Sequence, residues 1–520
     1  MANTYKHRLV AIGDSLTHGV KSGAIFEPNL SYPSILAWEM GLDENEFRYV
    51  PFSGKGGLPI NIEYLLRRMD RRFGVDVNWY ELPLSALYLR ERMDDIEDYW
   101  ERGPGAGPLN YTGPVHNLAV LSFKLQYAFQ LSCSMCRDFT ADPSDNLVSQ
   151  IPEKAMFRAV TRVLNPSQST ASEDLNATQI RRAKQLAEDG GIENLIIALG
   201  SNNVLGTVLD LEVRKSRVED LDPENIGRRY NASNYFYPDH FRILLEQLML
   251  EVEKLNDGDG TVGQVFWGNV PSVTIPPVSH GVGGRLDSDY GLGESPYGSD
   301  DSSEWYRRYF KFYTRPWIPH ANFRKGEDPC LLGEEIVRID RTIAAYNRDI
   351  QSGIDAHNQK RATSNLPPDW FLVDLNALLD SLAFRRYQED PTVPPPPGWE
   401  AYPMPAALKD LNLNTRFLKA EEGIRTDGGI FSLDGFHPTA TASAIVAQKF
   451  VDVMRQNGVR FFTRDGSTVR RDPIEVDFNR ILRLDSLVNS LPNTLDDLWQ
   501  NLVDGDQVLD LFKRAIRSLG

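Results

Sequence analysis

The hydrophobic and polar residues of this chain follow two alternating patterns along its length. Short apolar runs bounded by glycine or polar residues predict buried strands, and longer segments with periodic apolar residues predict amphipathic helices. The predicted strands cover 9–12, 47–52, 117–122, 194–199, 262–270 and 370–375, and the predicted helices include 32–40, 60–73, 86–100, 177–188, 241–255, 334–357 and 439–457. This alternation predicts an α/β domain built on one parallel sheet, with helices between the strands.

The spacing between these elements is uneven, which indicates long insertions. We expect one domain over residues 1–458, with insertions at about 76–107, 125–165, 279–330 and 385–425. Two further Leu-rich helical stretches, 478–491 and 495–519, predict a helical extension over 459–520. Because an isolated amphipathic helix needs a surface on which to bury its apolar face, we expect this extension to pack on the core. A lid or a contact between copies of the chain is the alternative.

The insertion that follows the strand at 262–270 is the most irregular part of the sequence. Residues 279–303 are rich in glycine and acidic residues, and two interpretations are open: a mobile lid or a plain surface connection. The stretch 305–317 contains seven aromatic residues and four cations. We interpret this stretch as a helix that covers either the core or the functional site.

The overall charge limits the partners of the chain. It carries 72 acidic and 56 basic residues, a formal net charge of −16 at pH 7. This charge argues against a nucleic-acid partner, because the phosphates would repel it. Residues 1–7 are polar and lack the apolar core of a signal peptide, and no apolar run approaches the length of a membrane span. We therefore expect a cytoplasmic protein without integral membrane association.

The three cysteines are Cys133, Cys136 and Cys330, too few for a disulfide framework. Cys133 and Cys136 have the spacing of a zinc or redox pair, but no second pair or nearby histidine completes such a site. They lie in an apolar stretch that predicts a buried helix. We expect neither metal nor cofactor, since no Asp, His and Cys cluster has ligand spacing and no phosphate-binding loop is present.

The turn Gly13-Asp14-Ser15 ends the first predicted strand. Open α/β sheets bind their ligands at the carboxyl ends of the strands, so Ser15 stands where a ligand is expected. A serine hydroxyl is a poor nucleophile until a base removes its proton, and a third group normally orients that base. We interpret Asp14 as a helix cap, whose side chain points away from the nucleophile.

A base and an orienting carboxylate occur together near the other end of the sequence. Asp434 and His437 are three residues apart, so a single turn can bring the carboxylate to the imidazole. Pro438 and Thr439 then begin a helical pattern that stops at Gly458. His437 is therefore predicted in a loop at a helix start, with Ser15 as nucleophile, His437 as base and Asp434 as its partner.

These two blocks, Gly13-Asp14-Ser15-Leu16 and Asp434-x-x-His437, resemble the first and last blocks of the SGNH (GDSL) hydrolases. The resemblance implies a three-layer, flavodoxin-like parallel sheet with helices on both faces. It also implies hydrolysis of an ester or acyl group by Ser, His and Asp. Two middle blocks are implied as well, and they would supply an oxyanion hole.

Candidates for both middle blocks are present. Gly200-Ser201-Asn202-Asn203 resembles the Gly-x-Asn block, which implies Asn202 as a side-chain donor, while Asn203 stands where many members have Asp. His116 to Ser122 resembles the Asn-x-x-Val-x-Gly block, with Ser122 in place of the glycine, so that its backbone N–H is the implied donor. The backbone N–H of Ser15 is the third implied donor. Gly54, in Ser53-Gly-Lys-Gly-Gly57, is the alternative to Ser122.

Together these residues predict a serine hydrolase that cleaves a carboxylic ester, from a small molecule or a lipid, through an acyl-enzyme intermediate. An acyltransferase, or an acetyl esterase acting on a carbohydrate, would use the same triad, and the sequence blocks do not separate these activities. A binding protein without catalysis is disfavoured, because all three triad positions are filled. We also expect that the C-terminal helices could join copies of the chain into a homo-oligomer.

Overall fold

A parallel sheet lies at the centre of the molecule. The computed structural model describes residues 5–74, 82–111, 113–141, 151–421 and 423–492. The strands are β1 (His7–Gly13), β2 (Val20–Lys21), β3 (Ala24–Ile25), β4 (Leu58–Pro59), β5 (Ile192–Ala198), β6 (Val262–Gly268), β7 (His280–Arg285), β8 (Phe310–Thr314), β9 (Leu331–Leu332), β10 (Trp370–Val373), β11 (Lys419–Glu421) and β12 (Ile424–Asp427). The central sheet has the order β1-β5-β6-β10, and each neighbouring pair is parallel.

Helices connect these strands and fill the insertions. They are α1 (Ser15–His18), α2 (Tyr32–Glu39), α3 (Ile62–Phe73), α4 (Leu82–Glu101), α5 (Tyr127–Gln130), α6 (Cys133–Thr140), α7 (Ala155–Leu164), α8 (Ser172–Leu175), α9 (Gln179–Glu188), α10 (Gly206–Asp210), α11 (Ile226–Arg229), α12 (Pro238–Glu253), α13 (Gly333–Thr363), α14 (Leu375–Ser381), α15 (Phe384–Tyr387), α16 (Ala440–Gln456), α17 (Phe478–Leu484) and α18 (Ser486–Asn489). The mixed α/β architecture expected from the alternating patterns is therefore present.

The central strands end at one level. Gly13, Ala198 and Gly268 are direct neighbours across β1, β5 and β6. The loops that follow these three residues leave the sheet from the same edge, because all three strands run in the same direction. Loops at the carboxyl edge of a parallel sheet form the usual ligand site of such sheets.

Each strand of the central sheet contributes to two separate cores. Val10 and Ile12 of β1 belong to one buried cluster, together with residues of α3, α4, α7, α9, α12 and α13. Leu9 and Ala11 belong to a second cluster, together with residues of α2, α14, α16 and α17. Successive side chains of a strand point to opposite faces, so helices cover the sheet from both sides.

Two predicted strands are not formed as strands. Residues 47–52 have no ladder, although the Arg48 carbonyl accepts hydrogen bonds from the N–H groups of His116 and Asn117. Residues 117–122 make only a single bridge, Ala11 to Asn117. The segment nevertheless follows β1, since Leu118 donates to Ala11 O at 2.8 Å and Val120 donates to Gly13 O at 3.1 Å. It therefore reaches the same edge of the sheet as β1.

The interpretation of 305–317 as a helix was wrong. Only Trp305–Arg308 forms a short 3-10 turn, and the following residues form β8. Strand β8 pairs antiparallel with β7 and with β9 in a separate three-stranded sheet. Aromatic residues favour strands when neighbouring strands are available for pairing, and the glycine-rich segment that precedes 305 supplies one of these neighbours.

The glycine-rich segment 279–303 is therefore not a loop throughout. Its first part is β7, and the rest of it, up to the 3-10 turn at Trp305, has no helix or strand. The lid interpretation stays a prediction for this second part.

The C-terminal extension differs from its prediction in one respect. The predicted helix 478–491 is broken at Asp485 into α17 and α18. The buried Asp485 carboxylate accepts from the Thr441 N–H at 2.7 Å and from the Thr441 hydroxyl at 2.8 Å. The Asp485 carboxylate thus connects the break between α17 and α18 to the first turn of α16. The predicted helix 495–519 lies outside the described residues.

Within the described ranges, no helix combines the length and the apolar character needed to cross a bilayer.

Candidate active site

Ser15 is the first residue of the one-turn helix α1, directly after β1. Gly13 permits this sharp turn, because a Cβ at that position would lie 2.1 Å from Thr17 Oγ1 and 2.9 Å from Ala198 O. The Asp14 side chain accepts from the Leu16 N–H at 3.1 Å and caps the helix, as expected. The N–H of a first helical residue has no acceptor within the helix, so the Ser15 amide is available as a donor.

Asp434 and His437 form a hydrogen-bonded pair in the loop before α16. His437 Nδ1 lies 2.8 Å from Asp434 Oδ2. The other carboxylate oxygen accepts from the backbone N–H groups of Phe436 at 3.0 Å and His437 at 2.9 Å, which closes a tight turn. Thr439 caps α16 and fixes the exit of the loop, as the sequence predicted. The imidazole is therefore held in one orientation.

The Asp434 side chain is fully buried and still charged. Burial alone would raise its pKa, but the charge of His437 and the hydrogen bonds of the loop outweigh burial and lower the pKa below its ordinary value. A carboxylate in this state fixes the proton of the imidazole on Nδ1, so that Nε2 is the basic nitrogen.

A hairpin near the start of the chain is hydrogen-bonded to the Asp434 carboxylate. Strands β2 and β3 are joined by Ser22 and Gly23, which have φ angles of 53° and 89°. The Gly23 N–H donates to Asp434 Oδ2 at 2.7 Å, and the Ser22 N–H donates to the Ser432 hydroxyl at 2.8 Å. These residues were missed in the sequence. The Ser-Gly pair is a turn signal that could have located this turn, though not its contact with Asp434.

Ser15 and His437 line one pocket. Their side chains are not hydrogen-bonded to each other, and His437 Nε2 is buried without a hydrogen-bond partner in the described structure. Such bonds are often long in a free enzyme and shorten when substrate binds. The pocket is otherwise largely apolar, with walls from α14, α16 and the loops 271–276 and 430–438.

The predicted oxyanion residues lie near the same edge of the sheet. Ser122 follows the segment that runs beside β1, and its φ of 58° is in the left-handed region that glycine adopts most readily. The Asn202 amide donates to Phe123 O at 3.1 Å, which joins the two middle blocks. The other N–H of that amide has no acceptor among the described residues. Neither Ser122 nor Asn202 is among the residues that line the pocket, whereas Ser201 is.

The remaining residues of the predicted site are Gly200, Asn203 and Gly54. Gly200 has a φ of 121° at the turn after β5. Asn203 is buried, and its side chain accepts from the Leu125 N–H at 2.9 Å and donates to Gln126 at 3.2 Å. Gly54 packs against Tyr99 of α4, where a Cβ would lie 2.2 Å from the ring, and it does not line the pocket. The roles proposed for these residues stay predictions.

The structure buries three other reactive side chains, those of His18, Cys133 and Cys136. Cys133 and Cys136 are buried on α6, and burial raises the pKa of Cys133 to about 12. Burial lowers the pKa of His18 to about 3, and its ring packs edge-on against Phe52. Over the described ranges, no group of three or more His, Cys, Asp and Glu side chains is arranged to hold a metal ion.

Asp14 is an acidic residue in the lining of the pocket. Burial raises its pKa to about 7, and the Leu16 N–H and the charge of His437 reduce that increase only in part. The unfolded chain releases this proton near pH 4. The native protein therefore binds the proton more tightly between pH 4 and 7, and this group lowers the free energy of unfolding as the pH rises.

Asp14→Asn removes this titration and keeps an acceptor for the helix cap. We expect the free energy of unfolding of this variant to rise relative to that of the original protein from pH 4 to pH 7. Above pH 7 the difference between the two proteins should change little. Urea unfolding at several pH values measures this difference. Asp465→Asn is the control, because the pKa of the exposed Asp465 is lowered to about 2, so its contribution is nearly constant above about pH 5. A difference for Asp14→Asn that does not vary with pH would contradict the assignment.

Comparisons of this chain with protein-family models, with curated proteins and with solved structures find no match. The interpretation of the pocket therefore depends on the residues that line it and on the hydrogen bonds that hold them.

Proposed function

We propose that this protein is a serine hydrolase that cleaves a carboxylic ester, with Ser15 as nucleophile, His437 as base and Asp434 as the orienting carboxylate. One observation carries the proposal. His437 donates through Nδ1 to a buried carboxylate, and its Nε2 is buried, without a partner among the described residues, in the pocket that Ser15 lines. This arrangement supports a base that is directed toward a serine hydroxyl.

The proposed reaction proceeds in two halves. Ser15 Oγ attacks the ester carbonyl while His437 Nε2 takes the hydroxyl proton, and the imidazolium then gives that proton to the leaving alcohol. Water attacks the acyl-enzyme in the second half, with the same histidine as base. Asp434 stabilises the imidazolium in both halves and stays ionised, in keeping with its lowered pKa.

The oxyanion of each tetrahedral intermediate would be held by the N–H groups of Ser15 and Ser122 and by the second N–H of the Asn202 amide. The Asn202–Phe123 hydrogen bond supports this proposal, because it fixes the amide beside the segment that carries Ser122. The left-handed backbone of Ser122 also supports it, since a glycine in the corresponding family block would adopt the same conformation readily.

The SGNH family assignment and its flavodoxin-like, three-layer fold are part of the same proposal. The segment 117–120 follows the free edge of β1, so the chain crosses the sheet in the sequence order second, first, third, fourth, fifth. That is the flavodoxin-like order of a doubly wound sheet. The two helical clusters on opposite faces of the strands also favour this assignment.

The apolar pocket favours an ester with an aliphatic acyl chain. Its walls include Leu378 and Leu379 of α14 and Ile445 and Val446 of α16. Polar groups in the lining are confined to a few residues, among them Ser15, Ser201 and His437. Apolar walls favour a methylene chain because each buried CH₂ contributes about 0.8 kcal/mol.

The first test concerns the nucleophile. Ser15→Ala should abolish both hydrolysis of p-nitrophenyl esters and labelling by a fluorophosphonate probe, because the only proposed nucleophile is gone. Mass spectrometry of the labelled protein locates the modified residue. Ser201→Ala is the matched control, since Ser201 lines the same pocket, and it should be labelled as before. Labelling of Ser15→Ala at another serine would refute the assignment.

The second test concerns the orienting carboxylate. Asp434→Asn should lower kcat by up to about 10⁴-fold, because an amide can donate to Nδ1 and so favour the wrong tautomer of His437. Ser432→Ala is the comparison, since it removes only a 3.3 Å hydrogen bond to the carboxylate and the acceptor of Ser22. It should reduce kcat by less than about tenfold. Equal turnover of Asp434→Asn and the original protein would mean that Asp434 does not orient the base.

The third test concerns the acyl chain. For the original protein, kcat/KM should rise about fourfold per added methylene from acetate upward, until the pocket is filled. Leu379→Trp should remove this dependence by filling the pocket, and acetate hydrolysis should stay within about twofold. Leu366→Trp, at an exposed position outside the pocket, is the control. A chain-length series that is flat for the original protein would contradict an acyl pocket.

A further inference from the structure

A second, smaller pocket lies beside the one that contains Ser15. It is bounded by α15, the β7-β8 sheet and the loop after β6. Four of its ten lining residues are arginines, namely Arg285, Arg308, Arg385 and Arg386. No carboxylate is among those ten residues. Four converging guanidinium groups repel one another unless anions separate them.

Three of the arginines have carboxylate partners outside the lining. Arg386 pairs with Asp340 at 3.0 Å, Arg308 pairs with Asp300, and Arg285 lies 3.7 Å from Asp390. Asp300 and Asp340 are both buried. These pairs hold the guanidinium groups in place and neutralise three of the four positive charges.

Arg385 is the exception. Among the residues that the structure describes, no carboxylate lies within 4.0 Å of its guanidinium, and its one acceptor is the Ser279 carbonyl at 3.2 Å. Glu389, the carboxylate that acts on it electrostatically, is bound by Arg416 at 2.7 Å. Burial lowers the pKa of Arg385, the direction expected for a desolvated cation that lacks an adjacent anion.

Neutral donors complete the lining. The buried Thr415 hydroxyl accepts from the Phe384 N–H at 3.0 Å, and the Tyr313 hydroxyl accepts from the Phe310 N–H at 3.3 Å. An acceptor hydroxyl still has its own proton to donate. Guanidinium forks match oxyanions geometrically, and a phosphate group offers three strong acceptor oxygens.

We propose that this arginine-lined pocket is a binding site for a phosphate group, with Arg385 as its principal cation. The anion would supply the missing negative charge and separate the four guanidinium groups. The proposal does not depend on ester hydrolysis, since none of these ten residues belongs to the proposed triad or oxyanion hole.

The site would also be coupled to the neighbouring pocket. Arg386 donates to the Thr274 hydroxyl at 2.7 Å, and Asp340 accepts from the hydroxyls of Thr274 and Ser272. Thr274 lines the arginine pocket and Ser272 lines the pocket of Ser15. A bound phosphate would therefore restrict the motion of the loop 271–276, which lines both pockets.

The test is a titration of the full-length protein with inorganic phosphate at constant ionic strength. Calorimetry measures binding, and the Tm is measured at each phosphate concentration. Phosphate should bind and raise Tm progressively, whereas chloride should not. Arg385→Gln should weaken phosphate binding by roughly tenfold or more, because a charge-assisted contact is lost. Arg338→Gln is the matched control on the exposed surface of α13, and its phosphate affinity should be unchanged. Arg285→Gln, on a different element, serves as a second variant if Arg385→Gln does not fold.

Glycerol 3-phosphate distinguishes the two sources of the anion. Binding that is tighter than that of inorganic phosphate and equally dependent on Arg385 would identify a phosphate carried by a larger molecule. Binding of inorganic phosphate alone would identify the free anion. The proposal is overturned if phosphate and chloride act alike on the original protein, or if both pocket variants keep its phosphate affinity.

Discussion

The buried Asp434 carboxylate is the group on which the rest of the candidate site depends. A charge without exposure to water is costly unless donors surround it. Here the donors are the His437 imidazole, the hydroxyl of Ser432 and the backbone N–H groups of Gly23, Phe436 and His437. Only one of them can become the base, and the others hold the carboxylate so that this base keeps a single orientation.

The parallel sheet brings the other groups to the same place. Gly13 and Ala198 are aligned on neighbouring strands, and the segment before Ser122 is bonded to β1 at the same level. Gln179 of α9 reinforces this edge, since its amide donates to Gly13 O and to Leu118 O, each at 2.9 Å. A rigid edge of this kind positions loop residues more accurately than the loops themselves could.

The insertions shape what can reach this edge. α14 and α16 form the apolar walls beside Ser15, while α15 and the β7-β8 sheet form the arginine-lined pocket next to it. The loop 271–276 separates the two and is bonded through Thr274 to the Asp340–Arg386 pair. An apolar pocket and a cationic pocket with a common wall suit the two chemically different ends of one molecule, or a substrate and a separate anion.

Local patterns in the sequence were enough for the elements whose causes are local. The apolar runs of β5, β6 and β10, the Gly13 turn, the three-residue spacing of Asp434 and His437, and the Thr439 cap of α16 were all predicted, because each depends on residues a few positions apart. Long-range pairing decided the rest. Residues 310–314 became a strand because β7 and β9 offered partners. Residues 47–52 formed no strand because, among the described residues, only the Arg48 carbonyl of this segment accepts from backbone N–H groups.

The support of Asp434 by Gly23 also lay beyond the sequence, since 411 positions separate the two residues and only the folded chain brings them together. The same reason applies to the four arginines of the second pocket. They come from three separate parts of the chain, namely β7, the 3-10 turn at Trp305–Arg308 and α15, and become one site only when these parts pack together. Residue types and short spacings determined which chemistry this chain could carry. The packing of distant segments decided where it is held.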